Sequence, residues 1–434
     1  MRCPFLPAFA HPRIRSVLIA SLIFASAAPC SAATHYVSKE AGASDANPGT
    51  LASPWRTLQK AANSANPGDT ILVRGGVYPE NVIFSRSGTS GNPIVFQAYP
   101  SETPIVDGTS LNFANLPEDS LFQLLDVNWI TIDGFELRNL RTTSTSRTPK
   151  GIFIAGACHG IEVLNCRIHD IENNSPTSNG NAHGIAAYGW SNQPIQNLRI
   201  EGNELYDLVL GASEALVVNG NVDGFEVIGN HVHDCNNIGI DFIGYEGVGP
   251  NTTVDRARNG VCRGNLVHHI NTEFNPAYGG DFNTGGGWQS AGGIYVDGGV
   301  DILIEQNVVH HCNIGIELAS EHANRWTERI EVRNNVVYLN DIGGLFLGGY
   351  NASVGGTRDC VIRHNSFYQN DVNHEWNGEI FFQHETENNV ITHNLLFANG
   401  NGLFIGNTAA SNTGNVVNWN RYHAPGGADI KWHW

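Results

Sequence analysis

The chain has 434 residues, and its 41 Asp and Glu outnumber its 24 Lys and Arg, so the formal net charge is −17 at pH 7. This acidic excess makes nucleic acid and anionic lipid poor candidate partners, because both repel a negatively charged surface. Lysine is scarce and occurs only at Lys39, Lys60, Lys150 and Lys431, which restricts any mechanism that needs an amine base.

Residues 1–33 predict a secretory signal peptide. Arg2, Arg13 and Arg15 precede the apolar run SVLIASLIFASAA, and Ser31-Ala32-Ala33 offers a small-residue cleavage site. The run is too short to span a bilayer, and no second hydrophobic segment follows, so no membrane anchor is expected. The mature protein, residues 34–434, is therefore expected to be secreted or periplasmic.

Residues 53–65 predict an amphipathic helix that caps the N-terminal end of the fold. Ser53 stands as N-cap and Pro54 at the first helical position. Trp55, Leu58, Ala62 and Ala65 would lie on one face. A cap of this kind covers strand edges that would otherwise pair with another chain.

A repeated strand template follows the helix. Gly-Ile or its equivalent opens segments at Gly184, Ala215, Gly239, Gly293, Gly315, Gly344, Glu379 and Gly402. Since side chains alternate faces along a strand, each segment offers two inward aliphatic positions and outward positions between them. Internal repetition at a period of mostly 22 to 35 residues predicts a solenoid with two short strands per coil.

Two further columns repeat with the template. An Asn recurs after a preceding strand, and it predicts a hydrogen-bonded ladder at a turn; its members are Asn203, Asn230, Asn265, Asn307, Asn335, Asn365 and Asn394, with Cys166 one coil earlier. Three residues later a ring column follows, which predicts an outer stack rather than a metal ladder; its members are His169, Tyr206, His233, His268, His310, Tyr338, Tyr368 and Phe397.

These patterns resemble the right-handed parallel β-helix proteins, which include pectate lyases, alginate lyases, polygalacturonases and β-helical xylosidases. Residues 35–78 are similar to the first coil and capping helix of secreted members. The resemblance implies an all-β, single-stranded right-handed parallel β-helix with a short N-terminal capping helix, and a secreted, carbohydrate-active, pectate-lyase-like protein. Fold alone does not select the activity, because this architecture carries lyases, hydrolases, epimerases and binding proteins.

Six cysteines remain after removal of the leader: Cys158, Cys166, Cys235, Cys262, Cys312 and Cys360. Their spacing matches no metal site, and most are expected to be small buried residues of the core. Export permits a disulfide, for which Cys158 with Cys166 is the candidate pair.

The strand segments from Gly293 and Gly315 carry the candidate catalytic residues. Laying GIYVDGG over GIELASE places Tyr295 beside Glu317 on the outer face, with Asp297 two positions further along and Asp241 on the preceding coil. Neighbouring strands lie about 4.8 Å apart and alternate residues about 6.6 Å apart, so Asp297 and Glu317 would have backbones roughly 8 Å apart. Carboxyl groups about 5 to 10 Å apart serve both glycosidase mechanisms.

Long loops are expected to wall a sugar-binding groove beside these acids. Residues 271–290 form a Gly-rich excursion before the acid-bearing strand, and further excursions span 322–329 and 371–378. The candidate substrate-binding residues are Trp190, Tyr245, Trp288, Glu321, His322, Arg325 and Trp326. Amphipathic rings of this kind stack on sugar faces.

Hydrolysis of a polysaccharide or oligosaccharide by a monomeric enzyme is the favoured function, with Asp297 and Glu317 as the acid pair, Tyr295 as a hydrogen-bonding partner and Asp241 completing the cluster. Clustered acids raise one another's pKa, which keeps one of them protonated as a general acid. Hydrolysis of this kind requires no cofactor. Resemblance to β-helical xylosidases, which place an Asp and a Glu on successive coils, supports the pair.

Two alternatives remain open. Asp241, Asp297, Glu317 and Glu321 could instead bind Ca²⁺, whose ligands are carboxylate oxygens, and the protein would then be a lyase that eliminates across a uronate. The base of β-helical lyases is commonly Lys or Arg, and no lysine is expected on this sheet, which counts against that alternative. A non-catalytic glycan-binding protein would need only the aromatic groove.

Overall fold

The computed structural model describes residues 32–426 and the backbone of residues 431–433. These residues belong to one compact unit, Ala32–Trp434. Residues 1–31, which carry most of the predicted signal peptide, lie outside the described residues, and the leader and its cleavage point stay predictions. In the described part of the chain, no helix is long and apolar enough to cross a membrane.

The described strands form three parallel sheets that run along a β-helix, so each full coil contributes three strands rather than the predicted two. Sheet 1 contains the Gly-Ile strands: Val82–Phe84, Ser120–Leu125, Lys150–Ala155, His183–Gly189, Leu216–Gly220, Ile240–Ile243, Gly292–Asp297, Ile314–Ala319, Gly343–Leu347, Ile380–Phe382, Leu403–Asn407 and Lys431–His433.

Sheet 2 follows sheet 1 along each coil. Its main path contains Thr34–Val37, Thr70–Val73, Ile94–Ala98, Asn128–Asp133, His159–Leu164, Leu198–Glu201, Asp223–Ile228, Arg258–Arg263, Val300–Glu305, Glu331–Arg333, Val361–Arg363, Val390–Thr392 and Val416–Asn418. Three short strands pair off this path: Trp326–Glu328, Gly356–Arg358 and Thr386–Glu387.

Sheet 3 completes the coil. Its strands are Gly76–Tyr78, Pro104–Asp107, Glu136–Thr142, Arg167–Asn173, Glu204–Leu208, His231–Cys235, Leu266–Ile270, Val308–His310, Val336–Tyr338, Ser366–Tyr368, Leu395–Phe397 and Arg421–His423. The fold is thus the predicted all-β, single-stranded parallel β-helix, and the correction concerns the number of strands in a coil.

A sharp corner separates sheet 2 from sheet 3 and explains the missed strand. The residue before each ladder position adopts a positive φ, for example 66° at Gly202, 58° at Gln306 and 55° at Asn334. A single left-handed residue ends one strand and redirects the chain into the next. Because only two residues separate the strands at this corner, their sequences read as one continuous element.

The predicted Asn ladder lies at this corner and is confirmed. At Asn307 the side-chain amide donates to Cys262 O at 3.0 Å and to Asn335 Oδ1 at 2.9 Å. Its own Oδ1 accepts from the backbone N–H and side-chain amide of Asn265, each at 2.9 Å. The ladder continues to Asn420, and Cys166 begins it by donating its backbone N–H to Asn203. Buried backbone groups that the corner leaves open are satisfied in this way.

The predicted ring column stacks on the outer face of sheet 3. Ring centroids lie 5.3 Å apart for Tyr206 and His233, 5.0 Å for His233 and His268, and 4.9 Å for His268 and His310. The interplanar angles of these pairs are 4°, 19° and 9°, so the rings lie nearly parallel. The spacing of the coils therefore sets the spacing of the stack.

The core inside the three sheets is a continuous apolar column. The inward positions of sheet 1 are buried, as at Ile294, Val296 and Ile316. The six cysteines in the described part of the chain are all buried and unpaired, so the candidate Cys158–Cys166 disulfide is wrong. Burial raises the pKa of Cys166 to about 12, so the thiol stays neutral within the core.

The capping helix spans Leu58–Ser64 and is shorter than predicted, because its N-cap is Thr57 rather than Ser53. Asp45 accepts hydrogen bonds from the backbone N–H groups of Arg56 and Thr57 at 2.9 Å, which holds the preceding segment in an extended loop. Leu58 lies buried on the core side of the helix. The helix therefore covers the end of the β-helix as predicted.

The last described coil departs from the predicted register. Sequence alignment paired Ile380 with Leu403, whereas the structure pairs Ile380 with Ile405 and Phe381 with Gly406. Gly378 also bridges to Ile405, and the strand is paired two residues further along than the alignment placed it. The two pairings keep the same faces inward, because side chains repeat every two residues.

We expect Asn307→Ala to lower the free energy of unfolding by roughly 3 kcal/mol, because it leaves several buried backbone and amide groups without partners. Asn192→Ala, at an exposed loop position, is the control. Chemical denaturation followed by circular dichroism measures both. A loss at Asn307 no larger than that at Asn192 would contradict a stabilising ladder.

Candidate active site

A groove of about 660 Å³ crosses the outer face of sheet 1. Its floor comes from the strands Gly292–Asp297, Ile314–Ala319, Gly343–Leu347 and Ile380–Phe382. The polar and aromatic side chains that line it are Tyr278, Trp288, Gln289, Ser290, Tyr295, Glu317, Glu321, Phe346, Tyr350, Asn377, Phe381 and Gln383. A second cavity of about 600 Å³ extends the groove toward Glu375 and shares four lining residues with it: Trp288, Gln289, Ile342 and Asn377.

The loop of residues 271–290 forms one wall of the groove, as predicted. Asn275 anchors it by donating from its side-chain amide to Gly211 O and Asn236 O, both at 2.7 Å. The backbone around this anchor forms the short 3-10 helix Pro276–Tyr278. These bonds hold the loop against earlier coils, and Trp288 projects from it with 82% of its surface exposed.

Strand register confirms the predicted alignment of the acid-bearing residues. Asp241 pairs with Tyr295, and Tyr295 pairs with Glu317, so the three form one row across neighbouring coils. Asp297 pairs with Ala319 in the next outward row. Parallel, in-register strands thus bring together residues that are up to 76 positions apart in sequence.

A third outward row was missed and contains Lys150, His183 and Glu214. The Gly and the Ile of the Gly-Ile template both face the core. A Cβ added at Gly293 would point inward, since it would lie 2.6 Å from Val309 and 3.1 Å from the Cys312 sulfur. The residue before the Gly therefore faces outward. Lys150 and His183 pair across neighbouring strands, and His183 Nδ1 lies 3.1 Å from the backbone oxygen of Glu214 and 3.5 Å from its carboxylate.

The acids of this face are buried, although the sequence placed them on the outer face of the strands. Asp241 is 1% exposed, Asp297 4%, Glu214 8% and Glu317 9%. Loops and neighbouring side chains cover the outer face of sheet 1, which the two-strand repeat could not reveal. Burial of several carboxyl groups in one place makes their ionisation costly.

Burial raises the pKa of Asp241 well above its ordinary value, and the neighbouring Glu214 and Asp297 raise it further. Burial likewise raises the pKa of Glu214 and of Asp297, each with an added contribution from other acids. Within the described residues, Asp241 Oδ1 has no hydrogen-bond partner, which adds to the cost of a charge there. These groups favour the protonated form at neutral pH.

Glu317 differs from the deeper acids because it lines the groove. Burial, followed by repulsion from Glu321, raises its pKa to about 8. The side-chain amide of Gln383 lies 3.5 Å from Glu317 Oε1 and supplies a weak hydrogen bond. Glu317 is therefore a protonated carboxyl group at neutral pH with access to a bound molecule.

Glu321 lines the same groove from the exposed side. Partial loss of hydration and the nearby Glu246 raise its pKa above the ordinary value. Its backbone N–H donates to Asp297 Oδ1 at 2.9 Å, so Asp297 positions the segment that carries Glu321. The groove thus pairs a buried acid with a more exposed one.

Tyr295 lies between the acids on the groove floor and is 5% exposed. Burial raises the pKa of its phenol well above the ordinary value, and Asp297, Glu321 and Glu317 act in the same direction. The phenol therefore stays protonated and is available as a hydrogen-bond donor.

The structure separates the predicted substrate-binding residues into two groups. Trp288 and Glu321 line the groove. Trp190 instead packs near Phe153, with ring centroids 5.7 Å apart, and lies on an earlier coil.

The other predicted groove residues do not line the groove; they are Tyr245, His322, Arg325 and Trp326. The guanidinium groups of Arg256 and Arg325 lie 4.9 and 5.0 Å from the Tyr245 ring. Trp326 lines a different cavity, and the guanidinium of Arg358 lies 5.1 Å from its ring. Cationic partners therefore occupy two of the rings that were expected to stack on sugar.

The expectation that no lysine lies on this sheet is wrong, because Lys150 begins a strand of sheet 1. Its Nζ donates to the backbone oxygens of Glu118 and Thr148 at 3.1 and 3.0 Å. It also lies 4.8 Å from the centroid of the Phe153 ring. Burial lowers the pKa of Lys150, but these contacts direct the amine toward the preceding coil.

The residues suggested for Ca²⁺ are neighbours, but their oxygens do not converge. Among the described residues, a set of three ligand atoms within 4.8 Å of one another occurs at a histidine cluster on sheet 3 and not among Asp241, Asp297, Glu317 and Glu321. Calcium prefers six to eight oxygen ligands, so side chains would have to move to surround it. The calcium site stays a prediction.

Glu214, Glu246 and Asn219 join the acid cluster and were not predicted as site residues. The Asn219 side-chain amide donates to Glu246 Oε2 at 2.8 Å. Glu214 could have been found from its place directly before the repeated Ala-Leu position. Glu246 stands in the loop after the sheet 1 strand, where the repeat offers no alignment.

Comparison with known proteins places the described geometry in a family context. The family described as "Pel9A-like, right handed beta helix region" matches residues 35–246, and "Right handed beta helix region" matches residues 150–355. The uncharacterized protein YwoF of Bacillus subtilis (strain 168) is 40% identical over 391 residues, which cover 90% of this chain and 81% of that protein. Pectate lyase PEL9 of Emericella nidulans is 42% identical over 82 residues, which cover 18% of this chain and 20% of that enzyme.

Solved structures share the fold. The GH136 lacto-N-biosidase of Eubacterium ramulus superposes with a TM-score of 0.66 at 17% identity, covering 90% of this chain and 68% of that one. The A-module of the Azotobacter vinelandii mannuronan C-5 epimerase AlgE4 superposes with a TM-score of 0.54 at 14% identity, covering 90% and 95%. At such identities the likeness shows the fold alone.

We expect Glu317→Gln to become more stable relative to the wild type as pH rises from about 4.5 to 8. Glu317 holds its proton up to a pKa of about 8 when folded and releases it near 4.5 when unfolded, so its contribution to stability is present at low pH and lost through this window. The relative gain should reach roughly 4 kcal/mol at pH 8.

Denaturant unfolding at pH 5 and pH 8 measures this difference, and Glu226→Gln, at a side chain 46% exposed on sheet 2, controls for the substitution itself. A wild-type to Glu317→Gln difference that is the same at both pH values would show that Glu317 is ionised in the folded protein.

Proposed function

Because the chain belongs to the pectate-lyase-like family of right-handed parallel β-helix proteins, we propose that it is a secreted or periplasmic carbohydrate-active enzyme. The groove on sheet 1 is its proposed active site, and hydrolysis of a glycosidic bond is the proposed reaction. The observation that carries this proposal is Glu317, a protonated carboxyl group that lines the same groove as the more exposed Glu321.

The two acids have environments that suit different roles. Glu317 would donate its proton to the glycosidic oxygen as that bond breaks, and the Glu321 carboxylate would attack the sugar or activate a water. Ionised Glu321 also keeps Glu317 protonated through charge repulsion. Environments that push two pKa values apart are the usual basis for assigning an acid and a base.

This assignment revises the pair suggested by the sequence. Asp297 does not line the groove, and its Oδ1 accepts the backbone N–H of Glu321, so we assign it a positioning role. Asp241 is more deeply buried than Asp297 and helps to raise the pKa of the Tyr295 phenol. Tyr295, protonated and on the groove floor, would donate a hydrogen bond to the substrate or to an acid.

The lining of the groove favours a neutral glycan as substrate. Trp288 and Tyr350 are 82% and 62% exposed, and rings at such positions stack on sugar faces. Among the described residues that line the groove, none is a Lys or Arg. A uronate carboxylate would therefore meet the Glu321 carboxylate without a neutralising cation, which is unfavourable.

Calcium-assisted β-elimination on a uronate glycan is the second candidate. The Pel9A-like match over residues 35–246 and the 82-residue likeness to pectate lyase PEL9 favour it. In this mechanism Ca²⁺ held by the acids would neutralise the uronate, and a base would remove the adjacent proton. The amine of Lys150 is engaged by two backbone oxygens, which argues against it as that base.

We expect the protein to release new reducing ends from neutral polysaccharides or oligosaccharides, without an unsaturated product and without sensitivity to EDTA. Glu317→Gln and Glu321→Gln should each lower kcat/KM by about 10²- to 10⁴-fold, because each removes one half of the acid pair. Glu226→Gln on sheet 2 should keep full activity.

A panel of neutral and acidic glycans, assayed with and without EDTA for reducing ends and for unsaturated products, separates the candidates. An unsaturated product that disappears with EDTA would establish the lyase instead. Binding without either product would indicate a glycan-binding protein. Activity unchanged in both Gln variants would reject the proposed pair.

We also expect Trp288→Ala to raise KM about tenfold, the equivalent of roughly 1.4 kcal/mol of stacking energy, with little change in kcat. Trp190→Ala is the matched control, since this ring is also exposed but lies outside the groove. Steady-state kinetics on the best substrate of the panel measures both. Equal effects of the two substitutions would contradict the proposed position of the substrate.

A further inference from the structure

A cluster of imidazole groups on sheet 3 lies apart from the groove, which is on sheet 1. Glu204 pairs with His231 on the next coil. Tyr206 pairs with His233, and His233 pairs with His268 on the coil after that. His231 and His233 are two residues apart on one strand and therefore face the same side. Three successive coils thus contribute side chains to one place.

The ring nitrogens of this cluster approach one another closely. One ligand atom from each of His231, His233 and His268 lies within 4.8 Å of the other two. His231 Nε2 and His268 Nε2 are 2.8 Å apart. Glu204 Oε1 lies 3.7 Å from His231 Nδ1 and 3.6 Å from His233 Nε2.

The ring stack alone does not explain this arrangement. His233 and His268 belong to the ring column, but His231 lies in the neighbouring column, between Glu204 and Leu266. Stacking requires only parallel faces, and Tyr and Phe serve in later coils. Stacking does not explain why the Nε2 atoms of His231 and His268 lie so close together.

Contacts behind the rings prepare the inner nitrogens as ligands. His233 Nδ1 lies 2.6 Å from Asp234 Oδ2, and a hydrogen bond from Nδ1–H to this oxygen leaves a lone pair on Nε2. Within the described part of the chain, the buried His233 Nε2 has no hydrogen-bond partner. His268 Nδ1 lies 2.6 Å from His269 Nδ1, which can accept a hydrogen bond from its N–H and leave a lone pair on His268 Nε2. Second partners of this type orient histidine ligands in metal sites.

We propose that His231, His233 and His268 bind one divalent transition-metal ion of the zinc type, with Glu204 beside the ligands rather than among them. Three imidazoles, with water in the fourth position, match the ligand preferences of Zn²⁺, and a tetrahedral site with Zn–N bonds of about 2.0–2.1 Å places its ligand atoms about 3.4 Å apart. His231 Nε2 and His268 Nε2 would separate by about half an ångström to admit the ion.

The position of the cluster gives metal binding a structural consequence. His231 and His233 lie on one strand of sheet 3, and His268 lies on the next strand. The bound ion would therefore connect two adjacent coils of the solenoid and so stabilise the fold.

Isothermal titration of the metal-free full-length protein with ZnCl₂ tests the proposal, with Co²⁺ absorbance reporting coordination. The wild type should bind one Zn²⁺ per chain and show a higher Tm with the metal. His231→Gln and His268→Phe should each weaken binding at least about a hundredfold, because each removes a ligand nitrogen.

His310→Phe is the matched control, since His310 stacks on His268 with ring centroids 4.9 Å apart but lies outside the cluster. It should keep wild-type Zn²⁺ affinity. His268→Phe preserves a ring in the stack, and His231→Gln leaves the stack intact, so binding can be read even if one variant folds poorly. No Zn²⁺ binding by the wild type, or equal affinity in His231→Gln and His310→Phe, would overturn the site. Because the readout is metal binding, its result is independent of glycan cleavage.

Discussion

In-register stacking of parallel coils is the constraint on which the rest of this structure depends. Strands about 4.8 Å apart place each position of a coil over its equivalent in the next coil. The buried Asn ladder enforces this register at the corner between sheets 2 and 3, because an amide can satisfy its neighbours only when successive coils align. A side chain placed once in the repeat therefore acquires neighbours that are distant in sequence.

The same constraint creates an electrostatic problem on sheet 1. Asp241, Asp297 and Glu317 occupy neighbouring outward positions, and the loops that wall the groove remove water from them. Carboxyl groups confined in this way keep their protons, because ionisation is unfavourable there. A protonated carboxyl group can serve as a general acid. Glu317 combines that protonation with access to the groove, whereas the deeper acids have protonation without access.

Under the proposed roles of the groove and the histidine cluster, sheets 1 and 3 would carry two separate chemistries on one scaffold. Aligned acids on sheet 1 favour proton transfer, and aligned imidazoles on sheet 3 favour metal binding. Both arise from outward positions, which the apolar core does not constrain. Relatives that share the fold at low identity can therefore differ in activity without any change in architecture.

The sequence by itself determined the repeat, the inward aliphatic columns, the Asn ladder, the ring stack and the row of Asp241, Tyr295 and Glu317. These follow from side-chain alternation and from the length of a coil, which are local properties. The sequence did not reveal the third strand of each coil, because a single left-handed residue makes the corner between sheets 2 and 3. It also did not reveal the outward row of Lys150, His183 and Glu214, because two consecutive inward residues break the alternation of side chains.

Tertiary structure alone decided three features: the burial of the acids, the exclusion of Trp190 and Tyr245 from the groove, and the close approach of His231 to His268. Each depends on how loops and side chains from different coils pack against one another, and no periodicity in the chain encodes those contacts.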